Sequence, residues 1–499
     1  MHLSVLAAEL GDKPAVVMAE SGATLTYAEL EAASNAIAHV FADLGLEVGD
    51  HIAILMENCL DLFPVVWAAQ RSGLYYTPVN WHLTGDEAAY IVDNCEARVL
   101  VSTPSQAELA AHCVGAASRE VVELTVGGSL DEVASQASAD PISKEVEGCY
   151  MLYSSGTTGR PKGIVPEMTR APFGSGVAID HMIGTAFGFG RSSIYLSPGP
   201  LYHAAPLGWT MGTIRNGGTA IVMDRFDAEA ALEFIELYGV TATQMVPTMF
   251  VRMLKLPADV RGKYELGTLR TVVHAGARCP VEVKKQMIDW LGPILVEFYA
   301  GSEGTGFFMV DSQTWLQRPG TVGKAALGTV HICDDDGREL PAGEIGTVWF
   351  GDVRRFEYHG DPDKTADAWN SAGWNTLGDL GHVDADGYLY LSDRRVDLIV
   401  SGGVNIYPRE IEDALILNPA VIDVVVVGVD DDEFGQSVHA YVQLADTGRA
   451  DSGVVSELDA FVRERVAGFK APRGWTVLSD FPRLPSGKVL RRKLPAPGA

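Results

Sequence analysis

The sequence predicts a large N-terminal α/β domain with a β-rich subdomain, followed by a small α+β C-terminal domain. Three observations carry this reading. Apolar runs of strand length alternate with helical periodicities through the first part of the chain. After about residue 318, Gly, Asp and Pro turns punctuate short strands. From Asp393 onward a new helix and strand pattern begins, and 499 residues exceed one ordinary domain. The expected boundaries are 1–392 and 393–499.

The elements follow in order. Thr26-Tyr27-Ala28-Glu29 is a capping box, and Leu30, Ile37, Val40, Phe41 and Leu44 recur behind it at helical spacing. Gly45 and Gly49-Asp50 end that helix, and His51 to Met56 reads as a buried strand. Helical stretches at 60–71 and 84–94 alternate with strands at 74–79 and 98–102, the pattern of mostly parallel strands. The run Tyr150 to Leu152 reads as another buried strand. Alternation continues through 219–223, 229–239, 241–246, 268–275 and 281–291. Gly346 to Phe350 and Tyr388 to Leu391 are short strands of the β-rich part. In the small domain Pro408 opens a helix through Leu417 that Pro419 stops. Ile422 to Val429 and His439 to Leu444 are strands, and Ser456 is expected to cap a helix carrying Leu458, Phe461, Val462 and Val466 on one face.

Composition narrows the function. A net charge of -27 argues against nucleic-acid partners and against docking on an anionic membrane. An anionic substrate must therefore find a local cationic patch. The six cysteines are scattered without a Cys-x-x-Cys pair, which points to neither a zinc site nor a disulfide scaffold. Their default state is reduced, in a cytoplasmic protein. Neither a signal sequence nor an apolar run of about 18 residues is present, so no transmembrane segment is expected.

The most informative stretch is Tyr153-Ser154-Ser155-Gly156-Thr157-Thr158-Gly159-Arg160-Pro161-Lys162-Gly163. Glycines let backbone N–H groups turn toward one point, and hydroxyls and cations add donors, a combination suited to polyphosphate oxygens. Its spacing is not that of the usual P-loop. Further motifs follow. Tyr299-Ala300-Gly301-Ser302-Glu303 comes after an apolar run, and Leu377-Gly378-Asp379-Leu380-Gly381 is an acidic turn. Asp393-Arg394, Ser401-Gly402-Gly403 and Pro485-Ser486-Gly487-Lys488 complete the series. Each alone is weak; their joint order is not.

Together these motifs resemble the adenylate-forming superfamily of acyl-CoA synthetases, luciferases and peptide-synthetase adenylation domains, over nearly the whole chain. The resemblance implies an acyl-CoA synthetase-like fold whose small domain rotates between two poses. It implies ATP, Mg²⁺ and coenzyme A as cofactors and a small-molecule carboxylic acid as substrate; a homodimer is compatible with it. The acid would attack the α-phosphorus of ATP, and a thiol would then displace AMP. Ser154, Ser155, Gly156, Thr157, Thr158, Gly159 and Lys162 would hold the phosphates. Lys488 would bridge carboxylate and α-phosphate, with Ser302 nearby, and Glu303 would hold the metal. Tyr299, Ala300, Gly301, Ala275, Gly276 and Ala277 would line the adenine slot, and Asp379 with Arg394 would meet the ribose.

Gly402, Gly403, Lys470 and Arg473 would face CoA. His203, Val246, His274, Gly301 and Gly306 would line the acyl pocket. Gly301, Gly304 and Gly306 are expected to leave room, which favours a bulky or medium- to long-chain apolar acid. The alternatives are an enzyme that loads an acyl or aryl carrier protein, and a non-catalytic nucleotide-binding relative. The chain departs from the family pattern at Arg278, where proline is frequent, and at the hinge, which reads Val396.

Overall fold

The helix behind Thr26 forms as its capping chemistry dictates. Thr26 Oγ1 accepts from the Glu29 N–H at 3.2 Å, and Glu29 accepts from the Thr26 N–H at 2.8 Å. The helix then runs Tyr27–Asp43 and buries Leu30, Ile37, Val40 and Phe41. Its apolar face joins a core with Phe63 and Trp67 beneath a five-stranded parallel sheet. That sheet comprises Val122–Thr125, Ala97–Ser102, His51–Leu55, Tyr75–Pro78 and Cys149–Tyr150. The chain was analysed as a computed structural model that describes residues 1–154, 161–394, 397–401, 404–431, 434–445, 452–483 and 489–496.

A second sheet of thirteen strands organises the rest of the large domain. Its parallel part includes Ile194–Ser197, Ala242–Met245, Thr271–His274 and Leu295–Tyr299. It turns antiparallel at Phe307–Asp311 and continues into the β-rich part through Thr321–Leu327, Leu389–Arg394, Asn375–Val383 and Gly346–Gly351. Helices on both sides bury the apolar faces of the parallel strands.

A third, small sheet matters most for function. Leu152–Ser154 pairs antiparallel with Lys162–Val165, so the two strands that flank the expected phosphate loop form a hairpin. Glu357–Tyr358 adds a third strand, with Tyr358 opposite Ile164. The His359 N–H donates to the Gly163 carbonyl at 2.8 Å and extends that ladder.

The small domain holds a three-stranded sheet of Val421–Asp431, Gly435–Leu444 and Gly474–Leu478, covered by Pro408–Leu415 and Ser452–Arg463. Two expectations need correction. The second of these helices starts at Ser452, so Ser456 lies inside it; Val454, Leu458 and Val462 at i, i+4 and i+8 are its buried stripe. The stretch Leu377–Gly381 is not a free turn but part of the strand Asn375–Val383, where only Gly378 takes a left-handed φ of 77°. Ladder bonds on either side override the local Gly-Asp turn preference.

The two large sheets are joined by a buried ionic cluster. Arg215 ends the helix Ala204–Arg215 and is 2 % exposed. It donates to Glu147 Oε1 at 2.8 Å and Gln70 Oε1 at 2.6 Å, and its Nε lies 3.0 Å from Asp180 Oδ2. Its guanidinium also sits 4.7 Å from the centre of the Trp67 ring. Glu147 Oε2 in turn accepts from the Gly174 and Gly176 N–H groups at 2.8 and 3.0 Å. Removing one member of a buried charge cluster strands the others, which costs far more than losing an exposed pair. Arg215→Met is therefore expected to lower stability by about 3–5 kcal/mol in urea denaturation. Arg338→Met, which breaks an exposed pair with Asp336, is expected to leave the midpoint unchanged.

Candidate active site

Strand ends assemble the site. Tyr299 closes the strand Leu295–Tyr299, and Asp379 projects from Asn375–Val383 in the neighbouring antiparallel region. Their side chains meet: the Tyr299 hydroxyl donates to Asp379 Oδ2 at 2.6 Å. Asp379 is also the cross-strand partner of Arg394. Tyr299 and Asp379 thus meet across 80 residues, and the backbone of Arg394 pairs with that of Asp379. Phe308 and Phe350 pack against the Tyr299 ring at centroid distances of 5.9 and 6.0 Å and fix its orientation.

Ala275-Gly276-Ala277 follows the strand Thr271–His274, next to Tyr299's own strand. Gly276 has φ +83°, a left-handed conformation that favours glycine, and a Cβ there would meet Val246 Cγ1 at 3.4 Å. Gly276 and Ala277 are exposed, so this backbone is open to a flat ligand. Val246 therefore borders the adenine-side segment.

Gly301, Ser302 and Glu303 sit in the tight loop after Tyr299, closed by the Gly304 N–H donating to the Gly301 carbonyl at 3.1 Å. Ser302 is exposed and Glu303 half-buried. Glu303 Oε1 accepts from the Tyr358 hydroxyl at 3.2 Å, and the Lys162 ammonium lies 4.6 Å from the centre of the Tyr358 ring. Tyr358, which the sequence reading did not single out, thus links the phosphate hairpin to the expected metal carboxylate. Its sequence signal was faint: an aromatic residue two positions before a Gly-Asp-Pro turn.

His203 caps the start of the helix Ala204–Arg215 and stacks obliquely on Tyr202 at 4.7 Å. Asn58 fixes the loop before it. Its Oδ1 accepts from the Leu201 N–H at 2.9 Å, and its Nδ2 donates to the Gly199 and Met223 carbonyls at 3.1 and 2.8 Å. Asn58 was also missed, because nothing in its local sequence points across 141 residues.

The acyl-pocket expectation fails at three positions. His274 is fully buried against Phe250 and the Lys284–Glu297 pair, on the helix-covered face of the sheet opposite Val273 and Trp209. Burial and the Lys284 charge push its imidazole well below the usual histidine range, so it stays neutral. The room expected beside Gly301 is taken by Leu377 and Thr305, 2.8 Å from where a Cβ would stand. Beside Gly306 the Leu327 carbonyl and Phe350 stand at 3.1 Å. These glycines permit close packing and do not open a cavity.

In the small domain Lys470 is bound by both oxygens of Glu410, at 2.8 and 2.6 Å, and Arg473 stacks on Phe434 at 3.9 Å. Arg278 extends from the large domain to Asp413 at 3.5 Å, which gives the departure at this position an interdomain partner. Ser155, Gly156, Thr157, Thr158, Gly159, Val396, Gly402, Gly403 and Lys488 lie outside the described residues, as do the side chains of Ser154 and Arg394. Burial pushes the thiols of Cys59, Cys95 and Cys149 up to about 12, so they stay protonated and are poor nucleophiles.

Among the described residues no three His, Cys, Asp or Glu side chains group into a metal cage. A lone carboxylate such as Glu303 suits Mg²⁺, which usually takes one or two protein oxygens and completes its shell with phosphates and water. No helix among the described residues is long and apolar enough to cross a membrane.

Comparison with known proteins agrees with this geometry. Residues 4–353 match the model of the AMP-binding enzyme family, and residues 410–488 match the AMP-binding enzyme C-terminal domain. A fatty acid–[acyl-carrier-protein] ligase of Streptomyces coeruleorubidus is 32 % identical, covering 96 % of this chain and 92 % of that protein. A feruloyl-CoA synthase of an Amycolatopsis species is 31 % identical over 96 % of this chain and 94 % of its own. The ATP-bound structure of MatB from Rhodopseudomonas palustris superposes with a TM-score of 0.81 at 27 % identity, covering 99 % and 98 % of the two chains. The chain belongs to the AMP-binding enzyme family, and its large α/β domain and smaller C-terminal domain are those of the adenylate-forming fold.

Proposed function

We propose that this chain is an ATP-dependent acid–thiol ligase that activates a carboxylic acid as its acyl adenylate and transfers the acyl group to coenzyme A. The observation that supports this best is the junction of Tyr299 and Asp379, with Arg394 opposite, beside the exposed backbone of Gly276 and Ala277. An aromatic ring, a carboxylate acceptor and exposed backbone in one place suit the base and ribose hydroxyls of an adenine nucleotide.

In the first step a carboxylate oxygen attacks the α-phosphorus, and the bond to the pyrophosphate oxygen breaks. Both reactants are anions, so local cations must offset a global charge of -27. Lys162 serves the leaving phosphates and Lys488 the carboxylate and α-phosphate, with His203 beside the carboxylate and Ser302 beside the phosphate. Glu303 would hold Mg²⁺, which supplies further charge neutralisation at the phosphate oxygens. In the second step the thiol sulfur attacks the acyl carbonyl and AMP leaves with the electron pair. Gly402, Gly403, Lys470 and Arg473 serve the CoA side, which requires Lys470 to exchange its partner Glu410 for a phosphate.

The favoured substrate is a bulky or a medium- to long-chain apolar acid. The support is that similar proteins include ligases named for fatty acids, ferulate and 2-succinylbenzoate. A carrier protein as acceptor is the second reading, favoured by the likeness to a fatty acid–[acyl-carrier-protein] ligase.

Pyrophosphate release should be screened over carboxylic acids with CoA, with a carrier protein, or with neither. Release that multiplies with CoA supports the ligase; multiplication only with carrier protein supports the second reading; no release with any acid removes both. Lys488→Ala is expected to cut adenylation by about a hundredfold or more while thioester formation from supplied acyl adenylate stays within a few fold. Equal loss of both half-reactions would remove Lys488 from its role.

A further inference from the structure

Tyr358 touches both Lys162 of the phosphate hairpin and Glu303, yet the reaction gives it no task. Its placement is over-determined. The residue sits on the short strand Glu357–Tyr358 that pairs with Lys162–Val165. Its N–H donates to Thr365 Oγ1 at 2.9 Å, and Thr365 Oγ1 donates back to the Asp361 carbonyl at 2.9 Å. Its ring packs with Phe356, Ile164, Ala368 and Trp369 and is 9 % exposed. A tyrosine held this firmly has two uses for its remaining surfaces. One ring face meets the Lys162 ammonium, whose charge the ring quadrupole attracts without neutralising it. The hydroxyl donates to one oxygen of the Glu303 carboxylate, Oε1.

We propose that Tyr358 is a positioning residue that sets the phosphate-loop lysine and the metal-holding carboxylate in fixed relation to each other. This rests on the reading that Glu303 holds Mg²⁺ beside the ATP phosphates. A carboxylate partner for Lys162 would cancel the charge that ATP needs. An aromatic face restrains the same ammonium and keeps its charge. The two contacts are chemically separable: phenylalanine keeps the ring and loses the hydroxyl, while leucine loses both.

The test is calorimetric ATP binding to the full chain, with and without Mg²⁺, together with the Mg²⁺ concentration at half-maximal ATP binding. Tyr358→Phe is expected to raise that Mg²⁺ midpoint by about three- to tenfold and leave metal-free ATP binding within about twofold. Tyr358→Leu is expected to shift the midpoint likewise and also to weaken metal-free ATP binding by about threefold. In a Glu303→Gln background, which itself raises the midpoint, Tyr358→Phe should add nothing further. A wild-type Mg²⁺ midpoint in Tyr358→Phe, with Glu303→Gln shifted, overturns the role of Tyr358 and keeps that of Glu303. An unchanged midpoint in Glu303→Gln overturns the metal reading and this proposal with it. Equal loss of metal-free ATP binding in the Phe and Leu variants would mark Tyr358 as merely structural and overturn the proposal as well.

Discussion

The buried guanidinium of Arg215 is the interaction on which the arrangement of the large domain depends. It ends the helix that His203 begins, and it reaches Gln70 under the five-stranded sheet and Glu147 just before that sheet's last strand. Glu147 stands three residues before Tyr150, and the phosphate hairpin starts at Leu152. One charge cluster thus sets the start of the hairpin against the helix that carries the histidine. Such a cluster tolerates little displacement, because every member is buried and its desolvation is offset only when all partners are in place.

Electrostatics then explains the construction of the site. The chain carries 65 acidic and 38 basic residues, so a polyanionic substrate approaches against a repulsive field. Cations at the site must keep their charge. Several basic groups elsewhere are paired with carboxylates, as Arg215, Lys284 and Lys470 are. Lys162 instead rests on an aromatic face. The helix Pro408–Leu415 serves both sides: Glu410 pairs with Lys470 within the small domain, and Asp413 pairs with Arg278 of the large one. An exchangeable ion pair at the domain junction is compatible with the domain turn that the resemblance implies.

Much of the fold was legible because its signals are local. The capping box at Thr26, the alternation from His51 to Ser102 and the proline at Pro408 each act within one element, and each element forms where they point. The failures have a common cause. Ser456 offered a good cap, but the buried stripe of Val454, Leu458 and Val462 drew the helix start back to Ser452. Leu377 to Gly381 had turn chemistry, but flanking ladders drew it into a strand. Gly301 and Gly306 suggested space, and the packing of Leu377 and Phe350 filled it.

The sequence alone determined the family and the reaction class, because a series of short motifs in fixed order carries the residue types that phosphate, ribose and metal chemistry need. It also grouped Asp379, Tyr299 and Glu303 as the expected members of one site. The tertiary structure decided which of these side chains touch, that His274 is fully buried, and that Tyr358 joins Lys162 to Glu303. The reason is physical. Sheet order brings together side chains from strands that do not pair with each other, as with Tyr299 and Asp379 across 80 positions, and no local propensity encodes that meeting.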